Sequence, residues 1–313
     1  MDILRSVLFD ECRTWVICAS YALLNALGDS CLDALDVENS TGVSFGIASY
    51  GTLYGCTRVL TPATTFWDGT ASLEKIMGIH LEEYSFQDKR EMLDFFRRTP
   101  VSGALLGPLN MTGLSYLPLS TQYKFADHYI AVKKGDSGEF ILTDSEGVPG
   151  MRVSEDGLLR FLDISGIPEA RGRFHIGMAS IVREPLLREE RTRAILRLAG
   201  KNYALAERAG QGGHAFLQCR TVMDTLPPSH WMEPVLYAME YLIQRKLMLL
   251  AADRDGVLMG FDCVRHVTTQ IDTLGTMRTL LMARRFPDVR ELLPVAAEAE
   301  TLLTRKLKEW IVL

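Results

Sequence analysis

The stretch FADHYIAVKKGDSGEFILTDSEG, residues 125–147, decides the fold. His128 opens an apolar run, HYIAV; KKGDSG makes a turn; EFILTD is a second apolar run that ends on Asp144. Two such runs about a glycine-containing turn predict an antiparallel hairpin. The start of its first strand then lies beside the end of its second, so His128 and Asp144 fall at one end of a sheet. A carboxylate placed there accepts from one imidazole nitrogen and fixes the tautomer and orientation of the ring. The pair lacks a nucleophile.

Upstream, VICASYALLNALG (16–28) supplies one. Ala22, Leu23, Ala26 and Leu27 stand at helical spacing and Gly28 stops the helix, which puts Cys18 at its start. Free backbone N–H groups and the helix dipole favour an anion there and make a thiolate accessible near neutral pH. Cys, His and Asp in this order suggest a cysteine-nucleophile triad: Cys18 attacks, His128 holds and returns the proton, Asp144 orients the ring. Singly, a cysteine in an apolar helix and a histidine at a strand start are usually structural. Their joint occurrence in helix-start and hairpin contexts is what points to catalysis. Cys12 is an alternative nucleophile, with CRTWVICASYAL (12–23) as the helix.

Farther out, PVSGALLG (100–107) and HIGMASIV (175–182) read as further strands, and SLEKIMG (72–78) and DKREMLDFFRR (88–98) as helices. From about residue 186 strand signals vanish and helical periodicity takes over, broken most clearly by Pro227 and Pro228 in TLPPSH (225–230). The fold class expected is therefore α+β with an antiparallel sheet, residues 1–185, followed by an all-helical domain, residues 186–313. STGVSFGIASYGTLYG (40–55) reads as a tight Gly/Ser-rich loop; it lacks the strand–turn–helix context of a dinucleotide site. His80 and His175 are expected on strand edges, and His214 and His230 in polar loops. His266, with Asp262 one turn earlier, reads as a helical surface pair.

Composition narrows the class. The chain has 313 residues, 47% of them hydrophobic, enough for a substantial core. Its net charge of −5 is spread along the chain, which argues against a nucleic-acid face. No apolar run approaches the ~20 residues of a membrane helix, and MDILRSVLFDE (1–11) lacks the basic and long apolar regions of a signal peptide. A cytoplasmic protein is expected. Six cysteines without a CxxC pair suggest neither a zinc site nor a disulfide framework.

The chain resembles the papain-like cysteine peptidases of the bacteriocin-processing type, and more closely the family of butirosin biosynthesis protein H. The resemblance rests on CASYALLNALG, FGIASYGTLYG, GPLNMTGLSYLP (107–118), ADHYIAVKKGDSGEFILTDSEGVPG (126–150) and the helical tail from GVLMGFDCVRHVTTQI (256–271) to EWIVL (309–313). The order GPLN, YLP, DHYIAV, TDSEG is its specific part. It implies a papain-like domain with a helical C-terminal domain, and acyl transfer from a carrier-protein thioester to a small-molecule amine through an acyl-cysteine. The partner would be an acyl or peptidyl carrier protein that brings its own phosphopantetheine arm, with no cofactor or metal held by the chain itself. RRFPDVRE (284–291) and RTRAILR (191–197) are places where an acidic carrier could dock, though both read first as solvated faces.

One departure stands out. Papain-like enzymes commonly carry an oxyanion-donating glutamine six residues before the cysteine; here Cys12 stands there, beside Glu11. The oxyanion hole then falls to the Cys18 backbone N–H plus another donor, with Asn110, Ser20 or a loop amide as candidates. Tyr116 is a further pocket candidate. A peptidase, amidase or thioester hydrolase is the alternative enzyme. The non-enzyme alternative is a silent binding or assembly module that forms a homodimer through its helical domain.

Overall fold

A computed structural model of the chain describes residues 17–28, 32–49, 52–53, 56–57, 60–100, 102–117, 127–146, 148–167, 170–253 and 258–312. Within them the fold is α+β, with a six-stranded antiparallel sheet and a predominantly helical C-terminal part. The residues group into two compact units, one of Val16–Val37 with Leu73–Glu184 and one of Glu38–Ser72 with Pro185–Leu313. No helix among the described residues is long and apolar enough to cross a membrane.

The first unit is built on strands β1 (Ile79–Phe86), β2 (Gly103–Asn110), β3 (Asp127–Lys134), β4 (Phe140–Asp144), β5 (Val148–Val153) and β6 (Phe174–Ile181). They pair antiparallel in the order β1-β6-β2-β3-β4-β5. Helix α1 (Cys18–Leu27) packs across β2, β3, β4 and β6. It comes very close at Gly103, where a Cβ would lie 2.4 Å from the Ala26 carbonyl oxygen. Because successive side chains alternate between faces, the neighbours Ala104 and Leu106 serve the other layer. There they join Ile130, Val132, Phe140 and Leu142 in a core shared with Met92, Leu93, Phe96, Leu158 and Leu159.

Helices α2 (Ala34–Thr41) and α3 (Thr70–Met77) span the points where the chain passes from one unit to the other. The layer opposite α1 holds α4 (Lys89–Arg98) and α5 (Glu155–Phe161). Asp88 caps α4, its carboxylate accepting from the N–H groups of Arg90 at 2.7 Å and Glu91 at 3.1 Å. Ser154 caps α5 in the same way, accepting from Gly157 N–H.

In the second unit, α6 (Arg188–Arg208), α7 (Gly213–Thr225), α8 (Pro228–Ala252), α9 (Gly260–Met282) and α10 (Phe286–Val312) follow one another. Pro227 and Pro228 break the chain between α7 and α8, Pro228 taking the first helical position, where its missing N–H costs nothing. Residues 38–72, expected in the first domain, pack instead with these helices. Ile47 and Leu60 are buried in the core of these helices, and a set of buried polar bonds that a hydropathy pattern does not display joins the same elements. Glu38 pairs with Arg245, Asn39 Nδ2 donates to the Met248 carbonyl at 3.0 Å, and Asn202 Nδ2 donates to the Gly42 carbonyl at 3.0 Å.

His80 does lie on the edge strand β1, 2.6 Å from Glu74. His214 and His230 lie on α7 and α8, exposed, where loops were expected. Asp262 faces Arg265 at 3.7 Å on the α9 surface. His175 sits inside the sheet on β6, not at its edge, and is buried. Its Nδ1 lies 2.5 Å from Glu83 Oε1 and its Nε2 lies 2.9 Å from the Ala170 carbonyl oxygen. Both partners are acceptors, so the ring donates from both nitrogens as an imidazolium. Burial pushes the pKa of His175 down, but the bonds to Glu83 and Ala170 outweigh it and the value is raised.

A raised pKa in the folded state adds stability that is complete below the unfolded value of about 6.5 and is lost as pH climbs through the folded value. His175→Gln is therefore expected to cost about 1–2 kcal/mol at pH 6 and clearly less at pH 9, allowing for the exposure of Glu83. Urea midpoints followed by far-ultraviolet circular dichroism at the two pH values check this; equal losses would contradict it.

Candidate active site

The hairpin of β3 and β4 pairs Ala131 with Thr143, Val132 with Leu142, Lys133 with Ile141 and Lys134 with Phe140. Continued by one step, that register sets Asp144 opposite Ile130, two residues from His128 and at the same end of the sheet. The side chains meet there: His128 Nε2 lies 2.8 Å from Asp144 Oδ1, and both residues are almost wholly buried. Glycine at 107 lets β2 run close by. Its φ is +145°, and a Cβ there would fall 2.7 Å from the His128 carbonyl oxygen.

Helix α1 reaches the same place from its own layer. Its last turn lies over Gly103 and near Lys133, which are the far ends of β2 and β3. Its first residue, Cys18, is thus carried to the end where His128 and Asp144 stand. The thiol is a hydrogen-bonding and charge partner of the His128 ring. Since Nε2 is held by Asp144, Nδ1 is the nitrogen left for sulfur. Burial pushes the His128 pKa down, but the charge of Cys18 and the bonds to Asp144 and Cys18 overcome it and raise the value to about 10. The ring is set between two groups that favour its charged form.

Asp144 accepts three hydrogen bonds. They come from His128 Nε2, from the Tyr116 hydroxyl to Oδ2 at 2.6 Å, and from the Glu146 backbone N–H to Oδ1 at 2.9 Å. Burial alone would raise its pKa, but these donors and the His128 charge bring it below the usual carboxylate range. The Glu146 contact is an Asx turn, legible in principle from the Asp–Ser–Glu sequence. The Tyr116 contact has no local sequence signal, being 28 residues away along the chain.

The α1 N-terminus can hold an anion. Its first intrahelical bond runs from Tyr21 N–H to the Ile17 carbonyl at 3.0 Å, so the N–H groups of Cys18, Ala19 and Ser20 lie outside the helical ladder. Ile17, at the cap position, has no side-chain acceptor to offer them. Among the described cysteines Cys18 is partly exposed, whereas Cys219 and Cys263 are buried and their pKa values are pushed up to about 12.

The oxyanion candidates separate on geometry. The Asn110 amide donates to the Ser165 carbonyl at 2.8 Å and its oxygen accepts from Thr112 N–H at 3.0 Å. It caps a turn and has no donor facing Cys18. The single hydroxyl proton of Tyr116 is committed to Asp144, so it too is no oxyanion donor. Ser20 is wholly buried, and its hydroxyl has no hydrogen-bond partner among the described residues. Cys12, the alternative nucleophile, lies outside the described residues. Two surface concavities have volumes of about 280 and 330 Å³, one lined by Lys89, Arg90 and Arg160 and the other by Cys263, Lys306 and Trp310; neither is lined by Cys18, His128 or Asp144.

The chain matches no family model and no curated protein.

Proposed function

We propose that the chain is a cysteine-dependent acyltransferase of the butirosin biosynthesis protein H type, with a papain-like catalytic unit. The observation that carries this reading is the buried His128, held by Asp144 through Nε2 and partnered by Cys18, the first residue of helix α1. In the first step the Cys18 thiolate attacks a thioester carbonyl. The resulting oxyanion is met by first-turn N–H groups of α1. Collapse breaks the old C–S bond, and the departing thiolate takes the proton of the His128 imidazolium. In the second step an amine attacks acyl-Cys18, neutral His128 accepts the amine proton, and the Cys18 thiolate leaves. Thiol-to-thioester exchange is nearly isoenergetic, and amide formation drives the sequence forward.

The donor proposed is an acyl or peptidyl carrier protein in the cytoplasm, whose pantetheine thiol is the first leaving group. No step requires a metal or an organic cofactor held by this chain. The test uses a simple acyl thioester. Without amine, intact-mass spectrometry is expected to show one acyl group on Cys18; adding a primary amine should discharge it as the amide. Rapid release of free acid, with no adduct and no response to amine, would make the enzyme a hydrolase. An inert Cys18 at neutral pH would favour a silent binding module.

A further inference from the structure

We propose that Tyr116 is the positioning residue of this site: its phenol pins one oxygen of Asp144 so that the other stays on His128. The inference rests on the Cys18–His128–Asp144 reading and adds a fourth residue to it. Tyr116 stands in the short segment after β2, not on the hairpin. Its hydroxyl donates to Asp144 Oδ2 at 2.6 Å. The ring is held edge-on by Phe161 of α5, with centroids 4.9 Å apart and planes at 77°. The phenol therefore has a fixed direction, and the α5 layer supports the carboxylate from the side opposite α1.

The need for such a residue follows from burial. Asp144 is 1% exposed, so water cannot complete its hydrogen bonds. Oδ1 already serves His128 and the Glu146 N–H, and Oδ2 has Tyr116. The titratable groups facing Asp144 are His128 from β3 and Tyr116 from the segment after β2; Cys18 of α1 reaches it only through the ring. With phenylalanine at 116, Oδ2 becomes a buried acceptor that has lost its one side-chain donor among the described residues. A carboxylate in that position binds a proton at higher pH and is free to rotate off His128. Either change weakens the imidazolium that balances the Cys18 thiolate. The sign is the same for both: on the acid side, thiolate is lost at a higher pH than in the wild type.

Tyr116→Phe keeps the ring against Phe161, so the fold should survive, and thermal unfolding would verify that. The experiment is the pH profile of Cys18 alkylation by iodoacetamide, followed by peptide mass spectrometry. The expected result is an acid limb displaced upward by about one unit, with alkylation about tenfold slower at pH 6 and equal to wild type at pH 9. In an Asp144→Ala background the same substitution should change nothing, because Tyr116 acts only through the carboxylate. The positioning role is overturned by a Tyr116→Phe profile that superimposes on the wild type, by equal slowing at every pH, or by an undiminished effect in the Asp144→Ala background. A wild-type Cys18 alkylation profile that His128→Ala leaves unchanged overturns the triad itself and the Tyr116 role with it.

Discussion

His128→Ala is expected to slow acylation of Cys18 by a thioester by about 10³–10⁴-fold, and Cys18→Ala to abolish it. On the proposed mechanism the histidine acts twice, first as the cation beside the thiolate and donor to the leaving thiol, then as acceptor of the amine proton, so its removal would touch both steps. Asp144→Asn should do less damage. The amide keeps an oxygen for Nε2 and the Glu146 N–H, and its NH2, standing where Oδ2 was, donates to the Tyr116 oxygen instead of accepting from it, although the charge that supports the imidazolium is gone. Since His128 is nearly fully buried, His128→Ala also opens a small cavity, and His128→Gln provides a variant of closer volume. Stopped-flow thiol release under single-turnover conditions, with circular dichroism to confirm folding, gives the measurement. Loss of less than about tenfold in both histidine variants would remove His128 from the chemistry, and retained adduct formation in Cys18→Ala would move the nucleophile elsewhere.

The hairpin was legible because strand alternation and a glycine turn are local signals, and antiparallel pairing then fixes which ends meet. Cys18 was legible as a helix start for the same reason, its apolar repeat ending at Gly28. What the sequence did not display was long-range or irregular. The β2–β3 pairing shifts register between Leu106 and Leu109, so the distance from the Gly107–Pro108 pair to His128 is not countable along the strands. Asn110, attractive as an oxyanion donor by type and nearness in sequence, is instead tied to Asp163 and Ser165, more than 50 residues downstream. Tyr116 is a pocket candidate by sequence, and only the folded chain shows that its proton goes to Asp144. Residues 38–72 lie in the second unit, where Ile47 and Leu60 enter the helical core and Glu38, Asn39 and Gly42 find partners on α6 and α8; polar partners leave no periodic trace.

Lys246→Ala is expected to destabilise the helical unit by about 3–5 kcal/mol, the usual result of breaking a buried ion pair by removing one partner. Lys246 on α8 is 1% exposed and Glu300 on α10 is 0% exposed. The ammonium donates to Glu300 Oε2 at 2.5 Å and to the Tyr203 hydroxyl of α6 at 2.6 Å, and Gln270 of α9 donates to the same carboxylate oxygen at 3.0 Å. One network thus ties four helices together. Burial lowers the lysine pKa, and the charge of Glu300 and its hydrogen bond oppose that shift. Alanine at 246 leaves a carboxylate with a single side-chain donor and no countercharge in an apolar core. Lys246→Met combined with Glu300→Leu removes both charges and should restore most of the stability, because neither is then left uncompensated. Trp231, wholly buried in this unit, provides the fluorescence signal for urea unfolding. A single substitution within about 1 kcal/mol of wild type, or a double variant no better than the single, would show that the pair is not the electrostatic centre of the bundle.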